Sequence, residues 1–284
     1  MPNRRPILPD TVRFYRAKVV RTEDLSPSFR RVSVASEELS DFVHLGFDHW
    51  FRFFVPNAGQ TDWRLPTATS KLWYAQWLAT PARQRPHCNN YTVADYRGDQ
   101  RELDIDVVLH RGPSGELEGR VAQWAAATQP GDSVALLDEG LLFNPPADTS
   151  VVVLAGEESA LPALAGILRS LAPDTTGLAI LEVPTRADVR EVPHPAGVEL
   201  HWLVRAECDP SATAGAAALT ALTSLTGAAR LDPARTYAFL VGESQLATEG
   251  RRRLVRQGLP KDRITFCGYW KSPSADRRRA SAAH

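Results

Sequence analysis

The sequence predicts two lobes, an N-terminal antiparallel Greek-key β-barrel followed by a doubly wound parallel-sheet α/β domain. Three observations predict it. The 284 residues suffice for two domains of ordinary size. As far as Phe143 the chain reads as short strands bounded by turns, and beyond Pro145–Ser150 it reads as apolar strands alternating with helices. The expected division is residues 1–147, residues 148–272 and a flexible tail over 273–284.

In the first lobe, strands are predicted at Phe14–Val20, Phe29–Val34, His49–Val55, Asn90–Ala94, Leu103–His110 and Ser133–Leu137. Leu103-Asp-Ile-Asp-Val alternates apolar with polar, the mark of a strand with one buried face. One helix interrupts the strands, Val121–Ala127, and Gln129-Pro-Gly-Asp ends it with turn chemistry. In the second lobe, strands at Val151–Ala155, Leu178–Val183, Glu199–Val204, Tyr237–Val241 and Arg263–Trp270 alternate with helices reaching Ser170, spanning Gly215–Leu225 and spanning Gln245–Gln257. Continuous apolar strands separated by helices indicate a parallel sheet covered on both faces.

Composition excludes several classes. Hydrophobic residues are 43% and charged residues 23%, which excludes disordered and fibrous chains. The 33 basic residues cancel the 33 acidic ones, so no nucleic-acid footprint exists and any anion must be recognised by local cations. Cys88, Cys208 and Cys267 have neither disulfide nor metal-ligand spacing, and no metal is expected. No apolar run approaches the roughly 20 residues that span a bilayer, and the first ten residues hold no signal-peptide core. A cytoplasmic monomer without membrane insertion is the expectation.

Three segments carry candidate chemistry. Asn89-Asn-Tyr-Thr-Val93 places an aromatic ring, Tyr91, beside a hydroxyl and a backbone N–H, Thr92, on a barrel strand; the same residues are ordinary strand formers. His110 to Trp124 runs from a strand through a glycine-containing loop into a helix whose start, Gly119-Arg-Val-Ala122, directs N–H groups outward as a diphosphate site requires; a hairpin loop with a core tryptophan explains it as well. Leu154 to Ala163 is the first strand-to-helix turn of the second lobe, with Gly156 for the turn, Glu158 in the first turn, Ser159 as N-cap and Pro162 at a position tolerant of a missing donor. A structural helix start and a nucleotide contact account for it equally.

Taken in order, Tyr91-Thr-Val93, Trp124-Ala with Pro130-Gly-Asp132, Gly156-Glu-Glu-Ser-Ala-Leu-Pro-Ala163, Val241-Gly-Glu243 and Gly268-Tyr-Trp-Lys271 resemble the siderophore-interacting proteins. These are flavin-dependent ferric-siderophore reductases on the ferredoxin-reductase plan, a flavin-binding barrel followed by a nucleotide-binding-type domain. The resemblance implies FAD held by Asn89, Tyr91, Thr92, Val93, His110, Gly119, Arg120, Val121, Ala122 and Trp124. It implies NADH or NADPH at Gly156, Glu158, Ser159, Gly242 and Glu243, and a ferric siderophore or other small molecule at Arg52, Tyr269, Trp270 and Lys271. No side chain is expected to act as nucleophile or general base, since the flavin transfers the electrons. Arg186, Arg190 and Arg205 lie where an adenosine phosphate would be recognised, and a ferredoxin is a further candidate donor.

The chain departs from the family pattern at Asn89 and Ala94, where arginines are usual. Arg120 offers a replacement cation, and an aromatic insertion, Asp62–Leu65 with Leu72–Trp77, precedes the flavin strand. Those departures leave two alternatives open, a flavin-poor siderophore-binding protein and a flavin oxidoreductase acting on an organic substrate in biosynthesis.

Overall fold

The computed structural model describes residues 5–70, 72–112, 114–228 and 231–272, so the expected tail over 273–284 lies outside the described residues. The chain forms two compact units. One comprises Leu8–Leu45 and His49–Leu141; the other comprises the residues up to Ile7, the short stretch Gly46–Asp48, and the chain from Leu142 onward.

The first unit is one seven-stranded sheet with every pairing antiparallel, built from β1 (Phe14–Ser26), β2 (Phe29–Ala35), β3 (Trp50–Val55), β4 (His87–Thr92), β5 (Asp95–Arg97), β6 (Glu102–Val108) and β7 (Ser133–Gly140). Its spatial order is β4-β3-β7-β1-β2-β6-β5. The two edge strands, β4 and β5, are consecutive in the chain and joined only by Val93 and Ala94. That short link draws the edges together and curls the sheet into a barrel. Its interior is filled by Val19, Val32, Val34, Phe51, Phe53, Leu103, Ile105 and Leu136, and α2 (Arg120–Ala127) closes it with Val121 and Ala125. Within it His49 is fully buried: the Leu45 N–H donates to Nδ1 at 3.1 Å, so Nε2 carries the hydrogen given to Asp138 at 2.8 Å.

The structure corrects the sequence expectation in four places. β1 continues past Val20 to Ser26, because the turn at Pro27–Ser28 returns the chain directly onto β2; the polar run Arg21–Asp24 hides this in the sequence. β4 begins at His87 rather than Asn90, set by its register on β3, in which His87 faces Val55 and Thr92 faces Trp50. The short β5 was not expected. A second helix, α1 (Leu72–Ala79), occupies the aromatic insertion. Trp73 and Trp77, one turn apart, turn toward Phe54 and Leu137 on the outer face of the sheet.

The second unit is a five-stranded parallel sheet, ordered β10-β9-β8-β11-β12, from β8 (Val151–Gly156), β9 (Thr176–Val183), β10 (Gly197–Val204), β11 (Thr236–Glu243) and β12 (Ile264–Trp270). Helices α3 (Leu161–Ser170), α4 (Arg205–Cys208), α5 (Ala216–Ala228) and α6 (Ser244–Arg256) connect these strands. β11 is buried along its whole length, as the central strands of a doubly covered sheet must be. The order reverses between β8 and β11, which makes the turns after those strands the place where such sheets receive ligands. Among the described residues no helix is long and apolar enough to cross a membrane, and no cluster of potential metal ligands occurs.

Candidate functional site

Residues opposite each other on paired strands share a face, so the β3–β4 register assigns the barrel side chains. Asn89 lies opposite Phe53 and Tyr91 opposite Phe51, on the inner face; Arg52 opposite Asn90 and Trp50 opposite Thr92 are on the outer face. Tyr91 and Trp124 both meet Phe53 edge-on, at 5.5 and 5.3 Å between centroids, so the aromatic of the flavin strand and that of the α2 segment share one support. Burial pushes the Tyr91 phenol up, and the ring stays neutral. The Thr92 side chain points the opposite way, but its backbone has a separate direction. Val93 N donates to His49 O at 2.8 Å, so the alternation of the ladder turns the N–H groups of Asn90 and Thr92 to the outer edge of β4.

The start of α2 has no side-chain cap: its N-cap is Gly119, at φ 89°, a conformation that favours glycine. Arg120 donates to Asn57 Oδ1 at 2.9 Å. Burial, with the Arg120 charge adding to it, holds His87 below its ordinary value, so it is an uncharged imidazole at neutral pH. An aromatic ring, an edge N–H, an uncapped helix start and one guanidinium form a donor set suited to a flat ring carrying a diphosphate. These residues fit FAD, with Arg120 as the cation of the set while Asn89 Oδ1 accepts from Asn90 N at 2.9 Å.

Arg52 is held firmly. Nε donates to Glu139 at 2.9 Å, a second nitrogen donates to Asn90 at 2.6 Å, and the guanidinium lies 5.0 and 5.5 Å from the rings of Trp50 and Trp73. Its charge is therefore already paired. Cys88, on the same outer face, is pushed up to about 12 by burial and stays a thiol.

In the α/β unit the turn after β8 is tighter than its sequence suggests. A Cβ on Gly156 would sit 2.6 Å from Ala160 Cβ and 3.0 Å from Val241 O. The expected N-cap, Ser159, is a correction: Glu157 caps the turn, accepting from Ser159 N at 2.9 Å and from its hydroxyl, because a glutamate here reaches back over the turn. Glu157 also accepts from Trp270 Nε1 at 3.0 Å, tying the β8 turn to the end of β12. Pro162 stands in the first turn of α3, as expected. Glu243 is buried and accepts from Gln245 N, Leu246 N and Ser272 N, which caps α6 and holds the chain after Lys271. Glu158 is also buried, and with Glu182 it clasps Arg205 at 2.7 Å from each side. Arg205 is thus consumed inside the fold, and Arg186 pairs with Glu207 on the surface. A cavity of about 450 Å³ lies at the starts of α5 and α6, lined by Asp209, Ser211, Thr213, Glu243 and Gln245 among others. Tyr269 and Lys271 are exposed at the end of β12.

The Glu157 carboxyl is pushed up to about 8, first by burial and then by the neighbouring Glu158 charge, from an ordinary 4.5. The folded chain therefore keeps a proton that the unfolded chain releases. Stability declines as pH rises above the ordinary carboxyl range toward the raised value of the folded chain. Denaturant titrations at acidic and alkaline pH should show this decline, and Glu157→Gln should flatten it.

A barrel followed by a five-stranded parallel sheet is the ferredoxin-reductase fold, and two solved ferredoxin reductases superpose on the chain with TM-scores of 0.62 and 0.60 at 15% and 14% identity. Within that class the chain belongs to the siderophore-interacting protein family: the siderophore-interacting FAD-binding domain matches residues 18–141, and the siderophore-interacting protein domain matches residues 149–273. It is 30% identical over 261 residues to the ferric vibriobactin reductase ViuB of Vibrio cholerae, covering 89% of this chain and 87% of that protein. It is 24% identical over 264 residues to an NADPH-dependent ferric-chelate reductase of Escherichia coli, covering 91% and 93% of the two chains. A siderophore utilization protein from T. fusca superposes with a TM-score of 0.78 at 25% identity, over 95% of this chain and 96% of that one.

Proposed function

We propose that the protein is a ferric-siderophore reductase that takes electrons from NADH or NADPH and delivers them to siderophore-bound Fe(III), so that Fe(II) is released. The observation that carries this reading is the grouping of Tyr91, the Thr92 edge N–H, the uncapped start of α2 and Arg120 on one strand and helix of the barrel. FAD, when bound, supplies the conversion between a two-electron hydride donor and a one-electron iron acceptor. Tyr91 would stack on the ring, Thr92 and Val93 would border it, and Gly119, Arg120, Val121 and Ala122 would hold the diphosphate, with His110 and Trp124 flanking. The turns at Gly156 and Gly242 and the cavity beside Asp209 would take the nucleotide. Tyr269, Trp270 and Lys271 at the end of β12 would receive the siderophore, whose hard oxygen donors bind Fe(II) less tightly than Fe(III).

Anaerobic incubation with NADH or NADPH, added FAD, a ferric siderophore and a ferrous trap should yield trapped Fe(II), and Tyr91→Ala should lower the yield together with flavin occupancy. No flavin-dependent Fe(II) across hydroxamate, catecholate and carboxylate siderophores would refute the proposal. One observation favours a second reading, a flavin-poor siderophore binder: Asn89 presents an amide where the family presents a guanidinium. The visible spectrum of the purified protein separates the two.

A further inference from the structure

Among the described residues, three of the most exposed large apolar side chains sit on one short helix: Leu72 is 69% exposed, Tyr74 52% and Leu78 48%, all on α1. This helix is Leu-Trp-Tyr-Ala-Gln-Trp-Leu-Ala, with Gln76 its one polar residue. Trp73 and Trp77 point inward to Phe54 and Leu137. At 100° per residue, Leu72, Ala75, Leu78 and Ala79 lie opposite the two tryptophans, with Tyr74 on one flank and the exposed Gln76 on the other. A helix that presents large apolar side chains outward as well as inward offers a surface for a second apolar layer to cover.

The charges beside it identify the cover. Arg85 donates to Leu78 O at 2.9 Å at the end of α1 and lies 5.3 Å from the Trp77 ring. Arg64 N donates to Gln84 O at 2.8 Å, which brings Arg64 beside Arg83 and Arg85. The one carboxylate of the segment, Asp62, accepts from Gln84 at 2.7 Å. In a chain with no net charge, this apolar face has a local excess of arginine at its rim. An apolar face with arginines at its rim matches an anionic lipid surface, whose acyl carbons take the apolar side chains while its phosphates accept from the guanidinium groups.

We propose that α1 and its arginine rim dock the protein on an anionic lipid surface, with Leu72, Tyr74 and Leu78 entering the headgroup boundary and Arg64, Arg83 and Arg85 meeting lipid phosphates. Such docking is peripheral and reversible, weak on neutral lipid and screened by salt.

The test is co-sedimentation of the full chain with phosphatidylcholine vesicles, with and without phosphatidylglycerol. The anionic lipid should strengthen binding by roughly a hundredfold in low salt, about fivefold for each of the three arginines, and high salt should abolish the gain. Replacing Leu72, Tyr74 and Leu78 together by glutamine, which keeps helix propensity, should cost roughly tenfold or more. A second variant, Arg64→Glu with Arg83→Glu, leaves α1 intact and should remove the preference for phosphatidylglycerol. Three results overturn the proposal: no vesicle binding by the wild type, binding that survives both variants, or a wild-type dimer that the glutamine variant turns into monomers.

Discussion

Glu182→Ala is expected to be the most damaging single change in the α/β unit. Glu182 is 1% exposed at the end of β9, where one oxygen accepts from Arg205 and from Gly215 N and the other from Ala218 N at 2.9 Å. It therefore compensates a guanidinium and fastens the start of α5 at once. Removing it leaves a half-paired buried cation and two buried N–H groups without an acceptor, a combination that costs about 3–5 kcal/mol. At a few degrees per kcal/mol for a unit of this size, the melting temperature should fall by roughly 10 °C or more. Replacing Glu158, Glu182 and Arg205 together by apolar residues of similar volume should cost much less, because no charge is then stranded. Thermal and denaturant unfolding of both variants check this; a loss under about 1 kcal/mol for Glu182→Ala would mean that water reaches the cluster.

The second large effect is a gain. Asn89 stands two residues before Tyr91, on the same face of β4, and its side chain accepts from Asn90 N. An arginine there would add a forked cation to the face that already has Arg120. If a charge-assisted bond contributes about 1.5–3 kcal/mol, Asn89→Arg should tighten FAD by roughly ten- to a hundredfold. Arg120→Ala should weaken it by a comparable factor. Both are measured by titrating flavin-stripped protein with FAD and following flavin fluorescence. If Asn89→Arg leaves the affinity unchanged, the diphosphate does not lie on this face, and the assignment of the α2 start fails with it.

Much of the architecture was legible because apolar periodicity differs between the halves. β8, β9 and β11 are continuous apolar runs, and each announced its environment. β6 alternates as a strand with one solvent face would, yet it is buried on both faces, because Arg31, Arg97 and Ser33 pair with Asp104 and Asp106. β5 is three residues of mixed polarity, and α1 is apolar on both faces, so neither displays a period. Within the site, Tyr91, Gly119 and Gly156 stand in the strand and turns where their residue types pointed. What the sequence did not show was how the charges are paired. Arg205 reads as a loop cation and Glu158 as an open first-turn acid, yet the two bury each other 47 positions apart. Glu157 reads as one of two interchangeable glutamates, and the fold makes it the cap and the anchor of Trp270. Partners distant in sequence are invisible to local patterns, and a carboxylate at a strand end serves a ligand or a helix start equally well.

The stretch Gly46–Asp48 has a consequence for how the chain is made. It lies between barrel strands, yet its partners come from far downstream: Phe47 N donates to Ser170 Oγ at 2.9 Å, the Phe47 ring stacks on Phe143 at 5.4 Å, and Asp48 accepts from Leu142 N and Phe143 N. A Cβ on Gly166 would come within 2.1 Å of Phe47 O. On the ribosome this tripeptide waits for more than a hundred residues of further synthesis before Ser170 emerges. During that interval a bulky ring is uncovered, and the nascent barrel offers a chaperone its recognition mark. The same threading opposes genetic recombination: a crossover at Leu141 exchanges one half of the chain without the three residues on which the other half closes.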